Sequence, residues 1–343
     1  MHKGRSEKKT MNTVIGIDVS KATLDVLWLR DVDTGKVKSK KLGNTPQGHQ
    51  DLLAWATKNT GEPVDQIRFV LEATGVYHET LAHTLHEAGA EVVVLNPAQV
   101  RAYAKSLGVY TKNDRKDSRV LARFGATQPC RRWQPEPAEV RQLRTLLSRL
   151  EAVRTDLQRE RNRREKAQAG LGSALVEHSI QRMIERLEQE AAELNRQIDD
   201  HFDQHPQLRQ DRQRLETVPG IGPVISQHLV ATYHSRRFTK ASQMAAYLGL
   251  VPIQSQSGTS VNKPPRMSKV GPAHLRAKLY MPAVVASQHN AQARALYQRL
   301  VAAGKAKKAA LGAVMRKLVH IAFGVLKHQQ AYVAQGPNTP LAT

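Results

Sequence analysis

Two aspartates, Asp114 and Asp117, stand three residues apart in the run TKNDRKDSRVLA. The run predicts a helix that begins near the first aspartate, and residues at i and i+3 share one face of a helix. First-turn carboxylates also occur as simple helix caps, because the helix N-terminus carries partial positive charge. Here Lys112, Arg115 and Lys116 surround the pair. A divalent metal held by carboxylates among cations suits a site that acts on a polyanion.

Two further carboxylates follow predicted strands. The β-branched run TVIGIDV contains Asp18 near its end, and the apolar run IRFVL leads directly to Glu72. Four carboxylates can then converge on two Mg²⁺ ions about 3.5 to 4 Å apart, an arrangement that holds the attacking and leaving oxygens of phosphoryl transfer. A single strand-end acid is usually a turn or capping group. The order Asp, Glu, Asp, Asp is therefore the informative feature.

The elements that must position these residues are predicted by periodicity. Alternating or continuous apolar runs predict strands over 13–19, 23–29, 36–42, 67–71 and 91–95, and helical spacing predicts helices over 46–58 and 77–88. Asn96 and Pro97 then read as the N-cap and first residue of another helix. Three meandering strands followed by alternating units predict a mixed sheet with helices on both faces.

The second half has a different pattern. Apolar residues every three or four positions predict long coiled-coil helices over 140–168 and 175–202, hinged near Gly170. The run VPGIG has the form of a helix-hairpin-helix turn in which Gly220 and Gly222 let main-chain N–H groups approach a phosphate. Residues 253–274 read as a long irregular loop, and helical spacing resumes over 275–300 and 309–327.

The charge is strongly asymmetric. The net charge is +22, and after Glu216 there is no Asp or Glu but sixteen Lys and Arg. This predicts a nucleic-acid partner. The cations expected to contact nucleic acid in this half are Arg266, Lys269, Lys305, Lys307, Lys308, Arg316 and Lys317. The single cysteine excludes an intramolecular disulfide, and the absence of a signal-peptide or membrane-length apolar run favours a soluble cytoplasmic protein without a membrane partner.

At this point the motifs carry a family resemblance. The chain resembles the DEDD transposases of insertion-sequence family 110, also described as bridge-RNA-guided recombinases. The resemblance runs nearly end to end, through GIDVSK, LEATGVY, LNPAQV, TKNDRKDSRVLA, VPGIG, AAYLGLVP, QSGTSV, RMSKVG, LYMPAVVA and LGAVMRKL.

The resemblance implies a domain organisation and a set of catalytic residues. Residues 1–135 would form an α/β RNase-H-like (RuvC-like) domain in which Asp18, Glu72, Asp114 and Asp117 bind Mg²⁺. Residues 136–210 would form a long helical coiled-coil insertion, 211–335 a mainly α Tnp domain with the helix-hairpin-helix-like turn, and 336–343 a tail. In the motif QSGTS the nucleophilic serine would be Ser257.

The same resemblance implies the partners. They are donor and target DNA, a structured non-coding bridge RNA and further copies of the chain in a dimer of dimers, inside a bacterial cytoplasm and associated with the nucleoid. Recombination must conserve phosphodiester energy, which a phosphoserine intermediate does and hydrolysis does not. Because no carboxylate follows Glu216, Ser257 would depend on metals held by the first half.

Several alternative interpretations remain from the residues alone. A Holliday-junction resolvase-like nuclease would keep the carboxylates and hydrolyse with water. An actin-like or sugar-kinase fold has a first hairpin similar to GIDVSK, but the acid-free C-terminal half argues against it. An architectural DNA-binding protein would make the four-acid order a coincidence. His78, His83 and His86 could suggest a metal, although helix-surface histidines are the simpler interpretation.

Overall fold

The chain divides between Pro135 and Glu136 into two units. The computed structural model describes residues 13–73, 75–108, 114–170, 173–257, 261–268 and 270–334, and within these it leaves out the side chains of 114–116, 255–257 and 261–265. The tail 336–343 and the hinge residues after Gly170 lie outside the described residues.

A five-stranded mixed sheet forms the first unit. Its strands are β1 (Thr13–Val19), β2 (Thr23–Leu29), β3 (Val37–Gly43), β4 (Ile67–Glu72) and β5 (Glu91–Leu95), in the order β3-β2-β1-β4-β5. The first three strands pair as an antiparallel meander, and β4 and β5 run parallel to β1. This is the RNase-H-like strand order, and the predicted succession of strands is confirmed.

Helices cover both faces of this sheet. They are α1 (Pro46–Thr60), α2 (Glu79–Glu87), α3 (Pro97–Ser106) and α4 (Asp114–Thr127). Leu52 of α1 and Leu81 of α2 pack with Ile15 and Ile17 on one face, while Val120 and other α4 residues pack on the opposite face. Successive strand residues point to opposite faces, so β1 contributes to both cores.

Two long antiparallel helices begin the second unit. These are α5 (Ala138–Ala169) and α6 (Ala174–Gln204), and they confirm the coiled-coil prediction. Salt bridges between the two helices, such as Arg149–Glu190 and Arg161–Glu188, lie on the surface. Exposed ion pairs contribute little stability, so the buried leucines of α5 hold the hairpin together.

A helical core completes the second unit. Its elements are α7 (Pro206–Glu216), α8 (Pro223–His234), α9 (Ala241–Tyr247), α10 (Ala273–Lys278), α11 (Tyr280–His289), α12 (Ala291–Ala302) and α13 (Lys307–His328), and one apolar cluster runs through it from Val140 to Leu326. The turn between α7 and α8 is the predicted helix-hairpin-helix-like connection.

The prediction of one irregular loop over 253–274 was wrong. The structure has an antiparallel hairpin there, made of β6 (Pro252–Ser257) and β7 (Val261–Met267), with a register irregularity between Ile253 and Ser255. Strand recognition depends on apolar alternation, which a segment rich in serine, glutamine and proline lacks. Instead, the two strands are held by hydrogen bonds between their main-chain N–H and C=O groups.

The helical spacing predicted over 275–300 is confirmed, and the structure divides this stretch among three helices. Asn290 ends α11 and caps α12 by accepting a hydrogen bond from the Ala293 N–H. A capping side chain of this kind competes with helix continuation. The chain can therefore change direction at Asn290 and wrap α11 and α12 around α13.

The helix α13 is the one helix among the described residues that is long and apolar enough to cross a membrane. Within its apolar window, 61% is buried inside the second unit. Val314, Leu318 and Val319 lie in the centre of the helical core. This burial is what the central helix of a folded core shows.

A buried histidine on α8 makes the stability of the second unit depend on pH. His228 is 9% exposed, and burial, aided by the positive charge of Lys278 and His274, lowers its pKa to about 4. Glu151 acts in the opposite direction and ion-pairs with Lys278 at 2.6 Å. The imidazole is therefore neutral at pH 7.

We expect the second unit to lose stability as the pH falls from 6.5 towards 4. The unfolded chain takes up a proton near the ordinary pKa of 6.5, whereas the folded state resists until about 4. The free energy of unfolding that the neutral imidazole contributes is complete above the pKa of the unfolded state. Up to about 3 kcal/mol of it is lost as the pH falls below that value. Urea unfolding followed by circular dichroism at about pH 7 and about pH 4.5 should show a smaller loss in His228→Gln. Equal losses in both proteins would contradict this.

Candidate active site

Asp18 and Glu72 are neighbours at one edge of the sheet by strand register. In the parallel pair of β1 and β4, Ile17 is the partner of Leu71, so the next step of the register brings Asp18 beside Glu72. Neighbouring strands are about 4.8 Å apart, and paired residues point to the same face. Both side chains therefore project from the same face at the carboxyl ends of the two strands.

That face is the one covered by α4. A Cβ atom on Gly16 would overlap the main-chain oxygen of Ser118 and nitrogen of Ala122. Asp18 follows Gly16 by two residues and so lies on the same face of β1. A glycine at this position thus lets the helix main chain rest directly on the strand.

A second glycine fixes the direction of α4. A Cβ atom on Gly125 would overlap the side chain of Val70 and lie 3.0 Å from that of Val14. The helix therefore runs antiparallel to β1, with its C-terminal half over the start of the strand and its first turn towards Asp18. Asp114 and Asp117, in that first turn, are brought to the strand ends that carry Asp18 and Glu72.

The acidic residues have the donor chemistry of a divalent-metal site. Asp18, Glu72 and Asp117 are each half-buried, and carboxylate oxygens are the usual ligands of hard divalent cations. Among the described side chains, which exclude that of Asp114, no three acidic, histidine or cysteine residues are grouped closely enough to hold an ion. The residues fit a metal by type, and their grouping around one ion stays a prediction.

Asn44 is a positioning residue that the sequence did not reveal. Its amide nitrogen donates to the Ser20 carbonyl at 2.9 Å and to the Tyr77 carbonyl at 3.1 Å. These residues lie in the loops that follow β1 and β4. The amide oxygen accepts from His49 Nε2 at 2.9 Å, and burial lowers the His49 pKa, so this imidazole is a neutral donor. Asn44 therefore ties together the two loops beside the carboxylates.

Asp25 is a further carboxylate that the sequence analysis missed. It is the direct cross-strand partner of Asp18, so it points to the same face. Like charges placed opposite each other are destabilising. The ammonium group of Lys41 on β3 lies 3.4 Å from a carboxylate oxygen of Asp25 and so balances the charge of Asp25. The signal was available: in a two-residue hairpin turning at Lys21 and Ala22, Asp18 must face Asp25.

The predicted nucleophile lies in the second unit. Ser257 is the last residue of β6 and pairs with Val261. Its side chain is outside the description, as are those of Asp114, Arg115 and Lys116, and Lys112 and Lys269 lie outside the described residues altogether.

The other predicted nucleic-acid residues have varied environments. Arg266 on β7 is exposed, and Lys305, Lys307 and Lys308 are exposed at the start of α13. Arg316 donates to the Leu250 carbonyl at 3.1 Å. Burial lowers the pKa of the half-buried Lys317. The lysines at the start of α13 are thus the cations best placed to meet a phosphate.

The two glycines of the VPGIG turn differ in what they do. Gly220 has φ +102, and a Cβ atom there would lie 2.7 Å from the Pro282 carbonyl oxygen, so it is needed for packing against α11. Gly222 has open space around the equivalent position. Of the two, Gly222 leaves room for an approaching phosphate.

The histidines of α2 have a packing role. The rings of His83 and His86 contact the edge of Trp133 at centroid distances of 5.2 and 5.9 Å. The main-chain N–H of Trp133 donates to the Val92 carbonyl at 2.7 Å, which holds this residue beside β5.

Comparison with known sequences identifies the class of protein. A family model described as a transposase matches residues 15–168, and a model of the transposase IS116/IS110/IS902 family matches residues 212–298. The pilin gene-inverting protein of Moraxella bovis is 33% identical over 322 residues, which covers 93% of this chain and 97% of that protein. The pilin gene-inverting protein of Moraxella lacunata is 32% identical over the same shares.

A solved structure is also similar to part of the chain. The Thermus thermophilus RuvC structure shares 14% identity and a TM-score of 0.26, covering 35% of this chain and 99% of that one. The sheet order and the carboxylates at its edge define an RNase-H-like transposase domain, which confirms the expected fold. The chain belongs to the IS116/IS110/IS902 family of transposases, enzymes of DNA recombination encoded by insertion sequences.

Replacement of Gly16 by alanine should damage both stability and the site. The added methyl group would force α4 away from β1, and overpacking of this kind costs about 1 to 3 kcal/mol. Gly43→Ala is the matched control in the same sheet, because a Cβ atom there meets its nearest neighbour at 3.6 Å. Urea unfolding and DNA cleavage should both separate the two variants. Equal stability of Gly16→Ala and Gly43→Ala would disprove the close helix contact.

Proposed function

We propose that this chain is an RNA-guided DNA recombinase that cuts and rejoins donor and target DNA through a phosphoserine intermediate. Mg²⁺ ions, two per site, would be held by Asp18, Glu72, Asp114 and Asp117. The observation that carries this proposal is the meeting of the ends of β1 and β4 with the first turn of α4. That arrangement supplies carboxylates from three elements at one edge.

The first unit would act by holding charge in place. The ions would neutralise the phosphate and stabilise the oxygens that carry charge in the transition state. The residues of this chain supply the rigid frame. Asn44 fixes the loops beside Asp18 and Glu72, and the Gly16 contact fixes the helix that carries Asp117.

The second unit would supply the nucleophile. The Ser257 hydroxyl would attack a DNA phosphorus, forming a serine–phosphate bond as the bond to one sugar oxygen breaks and that sugar leaves as a hydroxyl. A sugar hydroxyl of the recombining strand would then attack the same phosphorus and release the serine. The number of phosphodiester bonds is conserved, so no external energy source is needed.

Nucleic-acid binding by the second unit is supported by an unfavourable arrangement of positive charge at the N-terminus of α13. Lys307 and Lys308 occupy its first turn, which contains no acidic residue, and Ala306 gives no side-chain cap. Cations at a helix N-terminus oppose the helix dipole. A bound phosphate would remove this repulsion, since it would contact both lysines and the helix N–H groups. RNA and DNA share this chemistry.

Assembly with further copies is supported by the tip of the coiled coil. Leu175 is 84% exposed, and Val176 and Met183 are also exposed on α6. The facing stretch of α5, residues 158–169, contains no large apolar side chain. A second copy could cover this stripe, in line with the proposed dimer of dimers.

DNA inversion is a second candidate for the biological outcome. The two Moraxella relatives are named for inverting a pilin gene and align with nearly the whole chain. Inversion uses the same cutting and rejoining chemistry when both recombining sites lie in opposite orientation on one DNA molecule. A resolvase-like nuclease that hydrolyses with water is the chemical alternative, and it would leave no protein–DNA adduct.

Asp117→Asn should abolish DNA strand cleavage while preserving folding and nucleic-acid binding. The substitution removes a ligand charge at nearly constant volume. Asp51→Asn is the control, because Asp51 is an exposed carboxylate on α1, on the opposite face of the sheet. Cleavage of labelled DNA is measured against Mg²⁺ concentration. Wild-type cleavage that persists in excess EDTA would rule out the metal site.

Ser257→Ala should abolish covalent attachment to DNA and strand exchange, yet retain RNA and DNA binding. Ser255→Ala, two residues earlier on the same strand, is the control and should retain activity. Denaturing electrophoresis of protein trapped on labelled DNA detects the adduct. An adduct formed by Ser257→Ala, or wild-type cleavage that never yields one, would favour hydrolysis by water.

A further inference from the structure

A cavity of about 610 Å³ lies in the second unit, away from the β6–β7 hairpin. It is formed by the second half of α13, the start of α9 and the segment 330–333 that follows α13. Pockets that bind small molecules usually have volumes of about 300 to 1,000 Å³ and mostly apolar walls. Phe323 and Val325 of α13 provide such a wall here.

Two polar atoms that belong to residues lining this cavity lack a hydrogen-bond partner among the described residues. They are His320 Nε2 and the Tyr332 hydroxyl, both shielded from solvent. A buried polar group without a partner costs about 1 to 3 kcal/mol. Burial and the nearby charges of Arg316 and Lys317 lower the His320 pKa, so its ring is neutral and can both donate and accept. A polar ligand would satisfy these groups.

The charges around the cavity favour an anionic ligand. Lys240 and Lys327 line it and are exposed to solvent, and no lining residue is acidic. A purely apolar ligand would gain nothing from two lysines at the rim. A ligand with a flat, weakly polar body and a phosphate matches the walls, the buried polar atoms and the lysines together.

The wall formed by 330–333 is anchored rather than loosely attached. Gln329 adopts φ 55, and its side chain bonds to the fully buried Asp211 at 3.0 Å. Tyr332 N–H donates to Thr217 Oγ1 at 2.8 Å. These contacts tie the segment to α7 and to the turn after it, so the Tyr332 hydroxyl is preorganised.

We propose that this cavity binds one unpaired nucleotide of RNA or DNA, with its base against Phe323, His320 and Tyr332 and its phosphate near Lys240 and Lys327. The proposal rests on the proposed nucleic-acid function and adds a specific contact to it. A base removed from its stack loses apolar and hydrogen-bonding partners, and a cavity of this kind replaces both.

Gly324 provides the test, because it lines the cavity and a Cβ atom there would meet nothing within 4 Å. Gly324→Phe should fill the cavity, since the Cβ position is open, and Gly324→Ala leaves the cavity open while also raising helix propensity over glycine. Saturation-transfer NMR on the full chain is recorded with uridine and adenosine 5′-monophosphates and their 2′-deoxy counterparts. Wild type and Gly324→Ala should saturate the base protons, and Gly324→Phe should bind at least about tenfold more weakly.

The phosphate contact has its own test. Lys240→Gln with Lys327→Gln should weaken binding of the monophosphates but not of the free nucleosides, while the ribose and deoxyribose series distinguish RNA from DNA as the source.

Equal nucleotide binding by Gly324→Phe and Gly324→Ala, or no saturation transfer to a nucleotide in the presence of the wild type, would contradict the proposal that the cavity binds a nucleotide. If the wild type carried out strand exchange but gave no saturation transfer, only the nucleotide-binding proposal would be rejected. Nucleotide binding without any cleavage would support the pocket and count against the recombinase proposal.

Discussion

The direct contact between α4 and β1 is the constraint on which the catalytic unit depends. Helix main chain can rest on strand main chain only where a side chain is missing, and Gly16 provides that position beneath Ser118 and Ala122. Gly125 provides a second contact further along the helix. Because an α-helix is rigid, two contacts fix the position of its first turn. That turn, which carries Asp114 and Asp117, is thereby directed towards the strand ends.

Acidic residues gathered at one edge repel each other, and the fold compensates for part of that repulsion. Asp18 lies beside Glu72 and opposite Asp25, and Lys41 pairs with Asp25. Carboxylates brought together without cations disfavour the folded, ionised state. A site that keeps several of them half-buried at one edge is therefore arranged for a positive ligand, which agrees with the metal chemistry proposed for this family member.

After Glu216 the second unit contains cations and no acid. Some of the acidic groups in the helices before that point have structural roles. Asp211 is fully buried and bonds with His234 and Gln329, and Glu151 pairs with Lys278. These contacts hold the helical core together. The anchored segment after α13 leaves a cavity lined by Lys240 and Lys327.

The sequence by itself determined the strands and helices of the first unit, the coiled coil, the charge asymmetry and the acids Asp18 and Glu72 at strand ends. These features are local: they depend on periods of 2 and 3.6 residues and on composition. It did not determine the β6–β7 hairpin, whose polar strands lack apolar alternation, or the division of the helix at Asn290. Only the tertiary structure decided that Asn44 joins two loops and that a cavity opens beside Gly324. Each of these depends on residues that are distant in sequence or on space left between elements, and local propensity carries no information about either.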